Sequence, residues 1–412
     1  MSSAGDVNGD GIDDLIVGAA GGDDGGFNAG EAYVIYGQAG ATRVTLDLST
    51  LTAAQGFIIQ GDAAGDLAGR SVAGAGDVNG DGIDDLIVGA PFGDDGGTDA
   101  GEAYVIYGQA GATRGRVDLT SLTPGEGFII QGGASQDYAA FSVSSAGDVN
   151  GDGIDDLIVG ARYGDDGGTD AGEAYVIYGR RPTLAVERTG TDIGQTIFGG
   201  HLDDTLNGMG GNDRLDGGAG ADTLIGGAGT DTADYRHASA GVVANLATGG
   251  TGGEADGDTY TSIERLLGSD FADSLTGDNT ANVLTGGAGD DTLSGGGGRD
   301  VLRGGAGADS FVFNTATGSG NVGVIADFSL ADDVIALDSA IFTALAVGTP
   351  LDALAFLAND TGRAATADQH ILYETDTGRL FYDADGNGAG GRHLFATVAP
   401  GLALGHTDFL VF

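Results

Sequence analysis

The chain has 412 residues, a formal net charge of −45 at pH 7, 83 glycines and no cysteine. This acidic balance argues against nucleic-acid binding, because phosphates would be repelled, and the missing cysteines exclude disulfide and thiolate chemistry. The sequence contains no run of 18 apolar residues, so no transmembrane span is predicted. No signal peptide is recognisable at the N-terminus. The 41% hydrophobic content argues for a folded chain rather than a disordered one.

A 16-residue segment, AGDVNGDGIDDLIVGA, begins at Ala4 and returns twice, with successive copies 71 residues apart. Its oxygen-bearing side chains alternate in the order D-x-N-x-D-G-x-x-D. Calcium takes about six to eight oxygen ligands, so a short loop that turns every second side chain inward suits this ion. The glycine after the third of these side chains permits a sharp turn. The sequence therefore predicts three calcium loops.

Between the loops, each repeat contains short strand-like segments rich in Val, Ile, Tyr and Phe. They read DDLIVGA, GEAYVIYG and GFIIQG, followed by SVAGAG or FSVSSAG, and are separated by Gly and Asp turns. Four short strands per repeat are typical of a β-propeller blade. The order of motifs closely resembles the FG-GAP repeats of integrin-α-type propellers, in which the loop binds calcium at the exposed edge of a blade.

The resemblance implies that each loop binds calcium through four side chains and the backbone carbonyl of its isoleucine. The implied ligands are Asp6, Asn8, Asp10, Ile12 and Asp14, then Asp77, Asn79, Asp81, Ile83 and Asp85, then Asp148, Asn150, Asp152, Ile154 and Asp156. The alternative is that these residues only form Asx turns. A second acidic segment, GDDGG at Asp23, Asp94 and Asp165, is predicted to be a solvated turn.

Only three copies of this repeat are present, whereas closed propellers have about four to eight blades. Met1–Gly5 aligns with Val143–Gly147, so the first copy is expected to lack its preceding strand. We therefore expect an incomplete propeller, in a chain that is either an N-terminally truncated piece of a longer protein or begins at a misassigned codon. Its open sheet edges would invite pairing with another chain.

After residue 182 the period changes to nine, in the pattern G-G-x-G-x-D-x-U-x, where U is apolar. Leu224, Leu293 and Leu302 occupy the apolar position and are predicted to point inward. Over residues 199–312 the pattern resembles the RTX parallel β-roll, in which two nonapeptides form one coil and stacked coils share calcium ions.

The RTX resemblance implies that calcium lies between aspartates 18 residues apart. The implied pairs are Asp204 with Asp222, Asp213 with Asp231, Asp273 with Asp291, and Asp291 with Asp309, and a weaker pair joins Asn282 and Asp300. Leu202, Met209, Phe271 and Thr280 replace glycines, so the first coil of each array is expected to bind less well. The interruption at 235–267 is interpreted as an insert that pads the roll.

The last region, 313–412, resembles the C-terminal cap and secretion region of type I exported proteins, which implies export without an N-terminal signal. Asp383, Asp385 and Asn387 there are predicted either to hold a further ion or to form an ordinary Asx-Gly turn. We expect an all-β chain with a partial propeller at 1–180, a linker at 181–198, a parallel β-roll at 199–312 and a β-rich cap.

A zinc protease often precedes an RTX roll, and such an enzyme would carry the motif H-E-x-x-H. The five histidines match no such motif: His201, His237, His370, His393 and His406. Without cysteine or lysine, neither a zinc site nor a phosphate-binding loop is expected. The sequence thus predicts a protein that is not an enzyme.

The leading hypothesis is a secreted calcium-binding protein with an adhesive, matrix or surface role, whose partner is a cell-surface or matrix protein or glycan. Calcium binding after type I export would drive its folding. One alternative is the non-catalytic C-terminal part of a longer secreted hydrolase. Another is a self-assembling surface-layer component.

Overall fold

The computed structural model describes residues 1–38, 40, 45–111, 114–318, 320–348 and 350–412. Contacts divide the chain into two compact units, Met1–Pro182 with Gly190–Ile197, and Thr183–Thr189 with Phe198–Phe412. The described residues form strands and short 3-10 helices but no α-helix, which confirms the predicted all-β class. None of their helices is long and apolar enough to cross a membrane.

The first unit consists of short strands in three sheets. Its strands are β1 Ser2–Gly5, β2 Asp14–Ala19, β3 Glu31–Ile35, β4 Gly56–Gln60, β5 Ser71–Gly76, β6 Asp85–Ala90, β7 Glu102–Ile106, β8 Arg116–Asp118, β9 Gly127–Gln131, β10 Ser142–Gly147, β11 Asp156–Ala161 and β12 Glu173–Ile177. The 3-10 helices Leu48–Thr50 and Leu119–Ser121 lie between them.

Each sheet of the first unit corresponds to one repeat. The second sheet has the antiparallel order β5-β6-β7-β9, the four strands predicted for a blade. The first has the order β1-β2-β3-β4 with β8 added in parallel, and the third has β10-β11-β12. The strand expected to be missing before the first loop is present in short form, because β1 spans four residues where β5 spans six.

The blades stack because successive side chains of a strand point to opposite faces of its sheet. In the central strand β6, Leu86 and Val88 pack in a cluster with Ile16 of the first blade. Ile87 faces the other way and packs with Val159 of the third blade. The repeated DLIVGA strand is apolar at successive positions because both of its faces are covered in the middle blade.

The strand β12 forms the edge of the third sheet among the described residues. The two preceding blades cover the same edge with the GFIIQ strands β4 and β9. Tyr175, Val176 and Tyr178 on or beside β12 remain 40%, 47% and 55% exposed. Within the described residues, the first unit therefore presents an apolar strand with an unpaired edge.

The second unit contains mostly three-residue strands. They are β13 Glu187–Thr189, β15 Thr205–Asn207, β16 Gly210–Gly211, β17 Arg214–Asp216, β18 Thr223–Ile225, β19 Ala228–Gly229, β20 Thr232–Asp234, β21 Val243–Asn245, β22 Thr259–Thr261, β23 Arg265–Leu267, β24 Ser274–Thr276, β25 Val283–Ala288, β26 Thr292–Ser294, β27 Val301–Ala306, β28 Ser310–Phe313, β29 Gly323–Ile325 and β30 Val334–Leu337. The strand β14 Thr196–Phe198 begins in residues of the first unit and ends at the first residue of Phe198–Phe412. The closing strands are β31 Phe356–Asn359, β32 Ile371–Glu374, β33 Arg379–Tyr382, β34 His393–Thr397 and β35 Phe409–Val411, and the 3-10 helices are Gly253–Ala255, Ala353–Ala355 and His406–Asp408.

These strands pair in parallel with an offset of 18 residues in each repeat array, as two nonapeptides per coil require. Leu206 lies opposite Leu224, and Leu293 lies opposite Phe311. The predicted inward leucines Leu224, Leu293 and Leu302 are at most 1% exposed. Their side chains form the apolar interior of the roll.

The segment 235–267 differs from the padding expected of it, because it contributes strands to the roll. Its β22 pairs with β18, and β23 lies between β20 and β25. Ala244 and Leu266 of this segment are 1% exposed. It continues the coil because its strands keep an apolar residue at the central, inward position.

The C-terminal strands extend the same sheets. β34 and β35 pair in parallel with β29 and β30, while β32, β33 and β34 form an antiparallel meander. Inside this region, the Phe342 ring meets Tyr382 and Phe395 edge to face, with ring centroids 5.0 and 5.2 Å apart. A packed aromatic core thus closes the end of the roll.

We predict that Leu293→Ala lowers the free energy of unfolding by about 2–5 kcal/mol, because it leaves a cavity in a stacked interior. Urea denaturation in excess calcium, followed by far-UV circular dichroism, measures the loss. Leu202→Ala is the control, since Leu202 is 48% exposed and such changes shift stability by about 0.5 kcal/mol or less. Equal losses in the two variants would contradict the assigned interior.

Candidate calcium-binding sites

The first loop is folded around the Asp6 carboxylate. Its Oδ1 accepts the Asp10 N–H at 3.0 Å, and its Oδ2 accepts the Gly11 N–H at 2.7 Å. The Asp10 Oδ1 in turn accepts the Ile12 N–H at 3.0 Å. Equivalent bonds join Asp77 to Asp81 and Gly82 at 3.0 and 2.7 Å, and Asp148 to Asp152 and Gly153 at 3.2 and 2.9 Å. All three loops therefore share one fold.

The glycine of D-x-N-x-D-G is required by the backbone of the loop. Gly11, Gly82 and Gly153 have φ values of +85°, +83° and +86°, in the left-handed region. A side chain with a Cβ would be strained there. The turn lets the N–H of the third loop position donate to the carboxylate of the first.

The last aspartate of each loop joins the loop to its blade. Asp14 is 1% exposed, and its oxygens accept the N–H groups of Val7 at 3.2 Å and Gly37 at 2.7 Å. Asp85 and Asp156 make the same contacts in their blades. Each of these hydrogen bonds uses one lone pair of a carboxylate oxygen, and the other lone pair stays available to an ion. The same loop can therefore form Asx-type turns and bind an ion.

The loop carboxylates repel one another. Burial, and then the charges of Asp6 and Asp10, raise the pKa of Asp14 to about 7. Burial and the neighbouring Asp81 raise the pKa of Asp77 to about 7. A divalent cation within the loop would offset this cost of ionisation.

The GDDGG segments form turns, as predicted. Asp23 accepts the Asn28 N–H at 2.7 Å through its carboxylate. Asp94 and Asp165 make the same bond with Asp99 and Asp170, at 2.8 and 2.7 Å. Asp23 itself is exposed.

In the roll, each repeat aspartate contacts the backbone of the neighbouring coil. The Asp222 Oδ1 accepts the Asp204 N–H at 2.8 Å, and the Asp291 Oδ1 accepts the Asp273 N–H at 2.8 Å. The same bond joins Asp231 to Asp213 at 2.8 Å, Asp309 to Asp291 at 3.0 Å and Asp300 to Asn282 at 3.0 Å. The structure thus brings together every pair expected from the 18-residue spacing.

Three further acidic residues continue these rows of contacts and were missed by the sequence reasoning. Asp258 accepts the Asp222 N–H, Glu264 the Asp231 N–H and Asp333 the Asp309 N–H, at 2.8, 2.9 and 3.0 Å. Their spacings of 36, 33 and 24 residues break the period. A local feature of the sequence could have identified these three residues. Each of them directly precedes a short strand, as Asp222 does.

The second carboxylate oxygens show that these residues fit a calcium ion. The Oδ2 atoms of Asp222, Asp231, Asp291 and Asp309 are inaccessible to solvent and accept no hydrogen bond within the described residues. A buried anionic oxygen without a donor is costly. Carboxylate oxygens are the ligands that calcium prefers. The donor set therefore suits a hard cation.

The first glycine of each nonapeptide makes room for this oxygen. A Cβ on Gly286 would lie 2.0 Å from the Asp291 Oδ2, and one on Gly217 would lie 2.2 Å from the Asp222 Oδ2. The second glycine has a different role, since Gly218, Gly287 and Gly296 have positive φ values of +80°, +123° and +80°. Both glycines of the repeat are thus required by geometry.

The first coil of each array differs from the others. The Asp204 Oδ2 accepts the Gly200 N–H at 2.5 Å, and the Asp273 Oδ2 accepts the Ser269 N–H at 2.6 Å. Met209 adopts φ +70° at the repeat position that Gly218, Gly287 and Gly296 occupy elsewhere. At Asp204 and Asp273, backbone donors therefore satisfy the second oxygens, which accept no hydrogen bond at Asp222, Asp231, Asp291 and Asp309 among the described residues.

Asp383, Asp385 and Asn387 lie in a turn near the C-terminus. The Asp383 Oδ1 is buried without a hydrogen bond among the described residues, while Asp385 Oδ2 accepts the Gly390 N–H at 2.8 Å. Asn387 donates to the Ala365 carbonyl at 3.0 Å. The turn is thus present, and the ion at this position stays a prediction.

Two repeat families match the chain. The FG-GAP repeat matches residues 2–35, 68–106 and 140–177, which contain the three loops. The RTX calcium-binding nonapeptide repeat matches 198–233, 260–293 and 276–311. The chain carries FG-GAP repeats and RTX repeats. Calcium binding by the RTX array is therefore supported by its family as well as by its geometry.

Known proteins resemble parts of the chain. Integrin alpha-PS2 of Drosophila melanogaster is 37% identical over 128 residues, which are 30% of this chain and 8% of the integrin. Integrin alpha-5 of Xenopus laevis is 33% identical over 39% of this chain and 14% of its own. Phosphatidylinositol-glycan-specific phospholipase D of Bos taurus is 36% identical over 43% of this chain and 20% of its own. The chain spans a fifth or less of the length of these relatives.

We predict that, without calcium, the free energy of unfolding falls as the pH rises from about 4 to about 7. Burial, followed by the charges of Asp273 and Asp309, raises the pKa of Asp291 to about 7, and burial raises that of Asp222 to about 7. The folded chain therefore holds these protons more tightly than the unfolded chain, and stability is lost as they dissociate.

Urea denaturation in chelator at a series of pH values tests this dependence. Asp291→Asn removes one of the titrating groups and should make the fall in stability shallower. A free energy of unfolding that rises over the same range would contradict the assigned burial of these carboxylates.

Proposed function

We propose that this chain is an extracellular calcium-binding repeat protein that folds around calcium and serves an adhesive or matrix role. The observation that supports it most strongly is the set of buried aspartate oxygens in the roll that accept no hydrogen bond among the described residues. Bound calcium would supply the positive charge that these oxygens lack. The three FG-GAP loops provide a second group of acidic sites for the same ion.

The proposed ligands are those implied by the two resemblances. In the loops they are the side chains of the D-x-N-x-D-G-x-x-D positions with the isoleucine carbonyl. In the roll they are the repeat aspartates, and we add Asp258 to them because it continues their contacts. We retain the proposed division into a partial propeller at 1–180, a linker at 181–198, a roll at 199–312 and a C-terminal secretion region.

Calcium-dependent folding is consistent with type I export. The net charge of −45 disfavours a compact chain where calcium is scarce. Outside the cell, ion binding would become part of the folding free energy, because the sites exist only in the folded chain. The same carboxylates would keep the chain unfolded before export, through their repulsion, and would bind the calcium that folds it afterwards.

The adhesive role rests on the third blade. The edge of β12 is unpaired among the described residues, and its apolar side chains are about half exposed. An exposed strand edge is a template for pairing with another chain. The similarity of this part of the chain to integrin alpha chains favours a cell-surface or matrix protein or glycan as the partner.

A second candidate is the non-catalytic part of a longer secreted hydrolase. It is favoured by the similarity of the repeats to phosphatidylinositol-glycan-specific phospholipase D of Bos taurus and of Dictyostelium discoideum. The matched regions belong to repeat families that are not catalytic domains. In that setting the same calcium sites would stabilise an accessory region.

We predict that calcium converts the chelated chain from a largely unfolded to a β-rich state at neutral pH. Asp291→Asn should raise the calcium concentration at the midpoint by about 10-fold or more, since even outer-shell changes cost about 10–100-fold. Far-UV circular dichroism during a calcium titration gives both results.

Asp290→Asn is the matched control, because this neighbour carries the same charge but is exposed. Its midpoint should stay close to that of the original chain. Full β-structure in excess chelator at neutral pH would refute calcium-dependent folding.

We also predict that the purified chain stays monomeric in calcium, so that the β12 edge is available for a foreign partner. Light scattering with and without calcium tests this. Large calcium-dependent assemblies that Val176→Lys abolishes would instead favour the surface-layer alternative. Leu330→Lys is the control, since Leu330 is 41% exposed in the other unit.

A further inference from the structure

Three carboxylates of the first unit meet away from the repeat loops. Asp62 and Asp66 lie in the segment that follows β4 of the first blade, and Glu102 is the first residue of β7 in the second blade. One oxygen from each lies within 4.8 Å of the others. Asp66 is 5% exposed and Glu102 is 1% exposed. We call these residues the inter-blade cluster.

Among the described residues, a backbone N–H donates to the side chain of only one member of the inter-blade cluster. Glu102 accepts the Asp95 N–H at 2.8 Å and the Tyr104 hydroxyl at 2.6 Å. The Asp62 Oδ1 is inaccessible to solvent and accepts no hydrogen bond within the described residues. The Asp66 backbone donates to the Ala63 carbonyl and accepts from the Phe92 N–H. The Asp66 carboxylate contacts Asp62 through a side-chain hydrogen bond and lies within the repulsive charge of Glu102.

The charge of the cluster is not balanced by side chains. In the described part of the chain, no ion pair with arginine or histidine reaches any of the three residues. The surrounding charges are carboxylates, since Asp94 acts on Asp66 and Asp95 acts on Glu102. Burial, and then the charge of Asp62, raise the pKa of Asp66 to about 7. Without further hydrogen-bond donors, such a group is stable as an anion only beside a cation.

We propose that Asp62, Asp66 and Glu102 form a further calcium site that joins the first and second blades. Two oxygens on opposite sides of a calcium ion are about 4.6–5.2 Å apart, because each lies about 2.3–2.6 Å from it. The 4.8 Å limit of the cluster meets this requirement. Unlike the D-x-N-x-D-G loops, this site draws its oxygens from two blades.

The next junction provides an internal comparison. Residues 71 positions later are Gly133, Asp137 and Glu173, so glycine replaces Asp62 and only two carboxylates remain. Asp137 is 6% exposed there, much as Asp66 is. The proposed site is therefore specific to the junction between the first two blades.

The test counts calcium bound to the full chain by equilibrium dialysis at millimolar free calcium. Asp62→Gly and Asp66→Asn should each bind one ion fewer than the original chain. Asp137→Asn is the matched control and should bind the same number, because its junction lacks the third carboxylate. Asp62→Gly carries the residue found at the next junction, so the blade should still fold, and circular dichroism checks this.

If folded Asp62→Gly binds as many calcium ions as the original chain, the proposal is overturned, and the cluster holds protons instead of an ion. An equal loss in Asp137→Asn would also overturn it, because the effect would then be unspecific. Loss of an ion in Asp291→Asn has no bearing on this site, since Asp291 belongs to the other unit.

Discussion

The structure depends on how buried carboxylates are stabilised in a chain that has far fewer basic than acidic side chains. There are 61 acidic and 16 basic side chains, and many aspartates lie in the interior of both units. Buried anions are stable only when hydrogen bonds or cations offset their desolvation. Backbone N–H groups supply part of that offset throughout the molecule. Calcium is the cation that supplies the rest in our proposal.

The two scaffolds use backbone N–H groups differently. In a propeller loop the first aspartate is bound by N–H groups four and five residues ahead, so the site is local. In the roll the N–H comes from the coil 18 residues before, so the site exists only after two coils have stacked. Calcium binding to the roll is therefore coupled to its tertiary folding more directly than binding to a loop.

The periods of 71 and nine residues allowed the blades, the coils and most candidate ligands to be predicted, because each repeat meets the same neighbours. The prediction failed where the period breaks. Asp258 and Glu264 lie in a segment interpreted as padding, yet their oxygens continue the aspartate contacts of the roll. The inter-blade cluster was missed because Asp62 has no counterpart in the next repeat.

The sequence alone determined the repeat unit and predicted calcium as the ion, because alternating oxygens, a turn glycine and an inward leucine are local requirements. Only the tertiary structure decided which carboxylate oxygens lack a donor. The Oδ2 of Asp291 accepts no hydrogen bond among the described residues, whereas that of Asp273 is bound by Ser269. The two residues occupy the same repeat position. They differ because the satisfaction of a buried charge depends on the backbone that packs against it.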